Sequence, residues 1–256
     1  MKIFAIGDTH LSFAPGVEKP MDVFGTEWEN HWQKLYENWT AKVTEEDYVI
    51  INGDVSWGLD IKEAKYDLDW LKDLPGRKIF FKGNHDLWWT THRALDLLYG
   101  HEIQVDNGSG HMVNRIVRDP YMNFMFNEAY MIGDLAICGT RGWNCPGTEG
   151  FTEHDLKIYE REVGRLRASL EDGKAKGAKD VIGVLHYPPT NDKHQVSGFT
   201  ELMSEYGVKL CIYGHLHGKE KYKRGIKGNL NGVEYKLVSL DFLNADPLEI
   251  WDLAER

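Results

Sequence analysis

The chain has 256 residues, 42% hydrophobic and 27% charged, with 40 acidic against 30 basic side chains and a formal net charge of -10. That length buries a large core, and the composition excludes a disordered or fibrous protein. No surplus of Lys and Arg is available to release counterions from a long polyanion, which argues against duplex nucleic acid as a partner.

In chain order, Lys2 to Ile6 predicts a strand, and Asp8 and His10 follow it at once. The apolar run is too short for a signal peptide or a membrane span, so a cytoplasmic protein is expected. Thr26-Glu27-Trp28-Glu29 has the form of a capping box and predicts a helix to about Lys42. A strand from Tyr48 to Asn52 follows, then a helix capped near Asp60 that carries Ala64, Leu68, Leu71 and Leu74 and stops at Pro75-Gly76. Lys78 to Lys82 reads as a strand and Thr90 to Leu98 as a short helix.

Residues 100 to 132 carry no clear period and are expected to hold short antiparallel strands. Leu135 to Cys138 is a strand, Thr152 to Leu170 an amphipathic helix, and Val181 to Leu185 a strand. Phe199 to Tyr206 and Lys209 to Tyr213 repeat the helix-then-strand step. The last runs, Lys221 to Arg224, Val233 to Leu240 and Leu248 to Trp251, predict an antiparallel finish. The alternation implies a mixed α/β fold in a single domain spanning residues 1–256. Cys138, Cys145 and Cys211 have no CxxC spacing and are read as reduced. The first and last sit in apolar runs as core residues, while Cys145, beside Pro146, is a weaker candidate for a thiol lining a site.

Five polar motifs end or follow these runs: Asp8-Thr9-His10, Gly53-Asp54, Gly83-Asn84-His85-Asp86, His186 and Gly214-His215-Leu216-His217. In extended backbone residues i and i+2 share a side, so Asp8 with His10, and His215 with His217, are each expected to present two donors to one small volume. Asp54, after a buried-strand pattern and a glycine, has two oxygens with which to span two cations. Asn84 and His186 complete the set. Seven N and O donors exceed the four of one tetrahedral ion and suit two ions sharing a bridge. The lack of thiolates argues against structural zinc and the histidines against a Mg²⁺ or Ca²⁺ cage, which leaves Mn²⁺, Fe²⁺/Fe³⁺ or Zn²⁺. Two such ions roughly 3.5–4 Å apart activate water and clamp the oxygens of an in-line displacement at phosphorus. Phosphoester hydrolysis is the reaction this chemistry favours. His31, His92, His101, His111 and His154 lie outside the pattern and are read as ordinary surface or core residues.

The ordered set over residues 8 to 217 resembles the calcineurin-like metallophosphoesterase superfamily. The resemblance implies a four-layer α/β/β/α sandwich with two mixed sheets and the site at its strand ends. It implies that Asp8, His10 and His217 hold one metal, that Asn84, His186 and His215 hold the other, and that Asp54 bridges. His85 would contact the substrate phosphate and protonate the leaving oxygen after attack by a metal-bridging hydroxide, with Asp86 orienting its imidazole. The Gly-Asn-His-Asp form is nearer to phosphodiesterase-like and small bacterial members than to protein Ser/Thr phosphatases. A small phosphoester is therefore the expected substrate, a diester or nucleotide in first place.

Arg141, just after a strand, is a candidate for the substrate phosphate, with a surface ion pair as its alternative. Trp57 and Trp88, with Trp89, are candidates for an aromatic wall beside the metals, at least one of the three being expected in the core. Tyr187 and His194 are weaker candidates for the cleft. Other readings stay open: a phosphomonoesterase or protein phosphatase, a catalytically silent metal-binding scaffold of the same fold, and a binuclear hydrolase of non-phosphorus esters or amides. The loops at 100–132 and 141–149 are expected to carry specificity.

Overall fold

The computed structural model describes residues 1–254. Strand β1 (Lys2–Ile6) leads through two 3₁₀ turns to α1 (His31–Lys42), β2 (Tyr48–Ile51), α2 (Ile61–Asp73), β3 (Arg77–Phe80) and α3 (His92–Tyr99). Then come β4 (His101–Asp106), β5 (Met112–Val117), β6 (Met122–Phe124), β7 (Tyr130–Ile132) and β8 (Leu135–Thr140). The chain closes with α4 (Glu153–Ala175), β9 (Asp180–Leu185), α5 (Gly198–Glu205), β10 (Leu210–Tyr213), α6 (Lys219–Tyr222), β11 (Gly228–Leu230), β12 (Val233–Leu237) and β13 (Leu248–Asp252). The fold is mixed α/β, as the alternation of patterns predicts.

One sheet runs β13-β1-β2-β3-β6 and the other β11-β12-β10-β9-β8-β7. Inside each sheet the strands are parallel, and β13, β11 and β7 join at the edges antiparallel. The central strands are Val/Ile-rich because parallel strands are covered on both faces. Period-two alternation sorts them. Phe4, Ile6, Val49, Ile51 and Phe80 pack with Leu35 and Trp39 of α1 and Leu68 and Leu71 of α2. Their neighbours Ile3, Ala5, Ile50 and Ile79 turn the other way and meet Ile137, Ile182, Val184 and Ile212 of the second sheet. On the second sheet's far face, Cys138, Cys211 and Tyr213 pack with Leu166 and Leu170 of α4 and Phe199 and Met203 of α5. Each such aliphatic side chain contributes about 1.5–3 kcal/mol by leaving water.

Caps are legible locally: Asp60 accepts from the N–H groups of Lys62 and Glu63, and Thr152 and Ser197 each close a capping box. Three expectations fail. Residues Thr26–Trp28 form a 3₁₀ turn, and α1 starts only at His31 after Asn30 in left-handed backbone (φ 52°). The break turns Trp28 inward, where its ring meets those of His31 and His217. Residues 221–224 are not a strand, because Gly218 at φ 81° turns the chain straight into the single helical turn α6. The finish is only partly antiparallel: β12 lies parallel to β10, since the connection through α6 and the β11 hairpin returns the chain to the same end. Just past β12 the backbone changes sheets, with Gly7 N donating to Val238 O and Leu240 N to Gly7 O.

In the region without a period, β4 and β5 form an exposed hairpin, and β6 then extends the first sheet beside β3.

Candidate metal centre

Every polar motif lies at the C-terminal end of a parallel strand. Asp8 and His10 follow β1, Asp54 follows β2, Asn84 and His85 follow β3, His186 follows β9, and His215 and His217 follow β10. In parallel sheets this is the edge where loops converge. The turns are tight. A Cβ on Gly53 (φ 104°) would lie 2.6 Å from Gly83 N and 2.7 Å from His186 Nδ1, so only glycine lets the loops after β2 and β3 close on the imidazole. Asp8, His10, Asp54 and His215 all have positive φ (59°, 44°, 50° and 70°). Such backbone is costly for side-chain-bearing residues and persists where function requires it. The extended i, i+2 geometry expected for Asp8 with His10 is therefore replaced by kinks.

The donors fall into two groups, each with one atom per residue within 4.8 Å of the others: Asp8, His10 and His217, and Asp54, His186 and His215. His215 and His217 thus serve different groups and are not a clamp on one ion, because His215's left-handed backbone swings its ring away. Asp54 touches both groups: its Oδ2 lies 3.8 Å from His10 Nε2 and 3.4 Å from His186 Nε2. Asn84 Oδ1 lies 2.9 Å from His186 Nε2, beside the second group.

Hydrogen bonds fix the ring orientations. His186 Nδ1 donates to Asn52 O (3.0 Å), leaving Nε2 for the site. His217 Nδ1 donates to Asp241 Oδ1 (3.0 Å), and Gly218 N donates to Asp241 Oδ2 (3.1 Å). Carboxylates on the outer nitrogen of an imidazole set its tautomer and basicity. Asp241 escaped the sequence reading, although it follows the apolar run Val233 to Leu240 as Asp54 follows its own strand.

The electrostatics suit cations. Burial pushes the His10 imidazole down to about 3 and His215 well below its ordinary value, so both are neutral, the form that binds metal. His10 Nδ1 is buried with no hydrogen-bond partner among the described residues. Burial raises the Asp8 carboxyl. Burial alone would also raise Asp54, but the charge and hydrogen bond of His186 outweigh it and hold the carboxyl far below the ordinary range. His186 is correspondingly raised to about 9, burial being overcome by Asp54, Asp8 and Asp86. Two buried carboxylates demanding positive charge, beside the neutral imidazoles of His10 and His215, match first-row divalent ions.

A cavity of about 350 Å³ opens over both groups, and Met21, Phe24, Trp28 and Trp57 form its apolar wall. The Trp57 ring stacks on His10 (4.8 Å between centroids) and leans on His85 (4.7 Å). The His85 side chain is exposed at this mouth, while its N–H donates to Asp54 Oδ1 (2.7 Å). Met21, Phe24 and Trp28 were missed because nothing local ties a loop so far upstream to the site.

Other candidates land elsewhere. Asp86 does not orient the His85 ring. Its buried carboxylate accepts from the backbone N–H groups of Gly83 (2.7 Å), Asp54 (2.9 Å) and Val55 (2.8 Å) and from Trp88 Nε1 (3.1 Å). Trp88, 2% exposed, and Trp89 belong to the helix-side core and do not line the cavity over the donor groups, though Trp89 borders a neighbouring one. Arg141 lines a neighbouring cavity with Glu162, and its guanidinium lies over the Trp143 ring. Tyr187 is buried against His215, and His194 is exposed. Cys145 is buried, donates to Pro189 O and is pushed up to about 12 by burial, so it offers no reactive thiolate.

Donor chemistry and strand-end placement together define a metal-dependent phosphoester hydrolase. The chain belongs to the calcineurin-like phosphoesterases, whose family model matches residues 1–219. Among solved structures it is similar to the phosphopantetheinyl hydrolase PptH of Mycobacterium tuberculosis, at 16% identity and a TM-score of 0.51 over 100% of this chain and 98% of that one. It is also similar to the protein of unknown function AQ665 of Aquifex aeolicus, at 15% identity and a TM-score of 0.46 over 96% and 94%. No curated protein matches in sequence.

Proposed function

We propose that this chain is a two-metal phosphodiesterase of small molecules, with Asp8, His10 and His217 holding one ion, Asn84, His186 and His215 the other, and Asp54 shared. The observation that carries the reading is the position of Asp54 Oδ2 within 3.8 Å of an imidazole from each donor group. When bound, two such ions activate a water and neutralise charge on the phosphoryl oxygens. Mn²⁺, Fe²⁺/Fe³⁺ and Zn²⁺ are the ions of this donor set. His85 sits at the mouth to protonate the leaving oxygen, and Trp57 holds its ring. The apolar wall of Trp28, Trp57, Met21 and Phe24 favours a diester, whose second substituent needs such a surface. A nucleotide meets that need and duplex nucleic acid does not. The three free, buried thiols support a reducing, cytoplasmic setting, and no helix among the described residues is long and apolar enough to cross a membrane. The core shared by both sheets supports a single domain.

The test is hydrolysis of a chromogenic phosphodiester and the matching monoester by metal-stripped protein reloaded with Mn²⁺. Diester turnover should appear on reloading at two ions per chain and vanish with chelator. Faster monoester turnover would make the protein a phosphatase, and no turnover of either ester at full occupancy would leave a binding scaffold. A second measurement bears on ligand orientation. Asp241→Ala should weaken Mn²⁺ binding about 10–100-fold, the usual effect of removing a carboxylate behind a metal-binding imidazole. Titration with the ion reads it directly, and unchanged affinity would remove Asp241 from the centre.

A further inference from the structure

A second cavity, of about 320 Å³, is lined by Lys82, Arg141, Arg161, Arg165 and Glu162. Lys82 follows β3, Arg141 follows β8, and the other three lie on α4. Glu162 is completely buried. It accepts from the Thr140 hydroxyl and lies 2.7 Å from Arg165 Nη1, 3.3 Å from Arg161 Nη2 and 3.7 Å from Arg141 Nη2. One carboxylate thus faces three guanidiniums. Lys82 adds an ammonium with no hydrogen-bond or ion-pair partner among the described residues, and Arg141 Nε is buried without a hydrogen-bond acceptor. The other acid close to Lys82, Asp86, is occupied by backbone N–H groups. In a chain of net charge -10, this is a concentrated excess of positive charge in a concave site.

We propose that this cavity is an anion site that binds a phosphate group other than the one hydrolysed. Planar guanidinium forks and a free ammonium are the donors that recognise phosphate oxygens. The segments that carry two of its cations also hold donors of the metal centre: Lys82 precedes Asn84 by two residues, and Arg141 O accepts from the N–H groups of His186 and Tyr187 (both 3.0 Å). The phosphate therefore belongs to the substrate, which carries a second phosphate beside its scissile ester. That assignment rests on the phosphoesterase reading, whereas phosphate binding itself does not.

Inorganic phosphate titrated calorimetrically into the full, Mn²⁺-loaded chain at constant ionic strength should show a saturable event. Lys82→Gln and Arg161→Gln should each weaken it about tenfold or more, the effect of losing one charge-assisted hydrogen bond. Lys82 makes no hydrogen bond or ion pair with a described residue that its replacement would break, and the Arg161 side chain is half exposed, so both variants are expected to fold. Isotherms unchanged in both variants overturn the site, whatever the protein hydrolyses. The source of the phosphate is read by competition, with alkanediol bisphosphates set against the matching alkyl monophosphates as inhibitors of ester hydrolysis. Tighter inhibition by the bisphosphates, lost in Lys82→Gln, supports a substrate with two phosphates. Equal inhibition by both overturns that assignment and makes free phosphate the ligand.

Discussion

Replacing His85 with alanine should lower kcat by about 10²–10⁴-fold, the range for removing a positioned general acid, without loss of metal or of fold. The side chain is exposed, no hydrogen bond from a described residue fastens its ring, and the rings of Trp57 and His10 lie against it. Its main-chain N–H, which holds Asp54, survives the substitution. The loss should also depend on the leaving group. A nitrophenolate departs without a proton, so the variant should keep more activity on a nitrophenyl ester than on an alkyl ester. Steady-state kinetics on both esters, with metal content measured alongside, decides it. A uniform loss on both esters, or a loss of metal, would mean that His85 acts on binding and not on proton delivery.

Asp86→Ala should behave in the opposite way, as a failure of structure before chemistry. Five buried donors, four from the backbone and one from an indole, converge on this carboxylate. Stranding buried donors costs about 1–3 kcal/mol each before relaxation, and removing the hub of such a network falls among the largest single-mutant effects, on the order of 4 kcal/mol. For a chain of this size the melting temperature should fall by about 8–16 °C. Asp86→Asn keeps one acceptor oxygen and should fall between. Since the same carboxylate joins the loop of Asp54 to the loop of Asn84 and His85, activity should fall in step with stability. A melting temperature within about 2 °C of wild type would show that water or a shifted loop replaces the carboxylate.

Much of the site was legible because its residues obey a local rule: each run of donors follows an apolar stretch that has to be a covered strand. Asp54 after Val49 to Ile51 and His186 after Val181 to Leu185 are of this kind. Where geometry depends on backbone that side chains do not announce, sequence reasoning fails. Nothing in Asp8, His10 or His215 signals left-handed φ, and it is those kinks that part His215 from His217. Asp86 was misread for a related reason: its place beside His85 in sequence suggested a pair, but its oxygens point back at the loop after β2. Trp28 seemed part of a helix because a capping box is a local signal, and long-range contact with His217 overrode it. Arg141 was recognised as a phosphate-type donor, yet only the tertiary structure shows that it shares its cavity with Arg161 and Arg165.

The two donor groups are drawn across the molecule in opposite proportions. Asp8 and His10 of the first sheet meet His217 of the second, while Asp54 of the first meets His186 and His215 of the second. A cation seated in either group is therefore a rivet through both sheets, and its grip is added to that of the aliphatic seam between them. An inter-sheet residue such as Ile50 or Ile182 would then work as a shim, setting the gap that such rivets have to span.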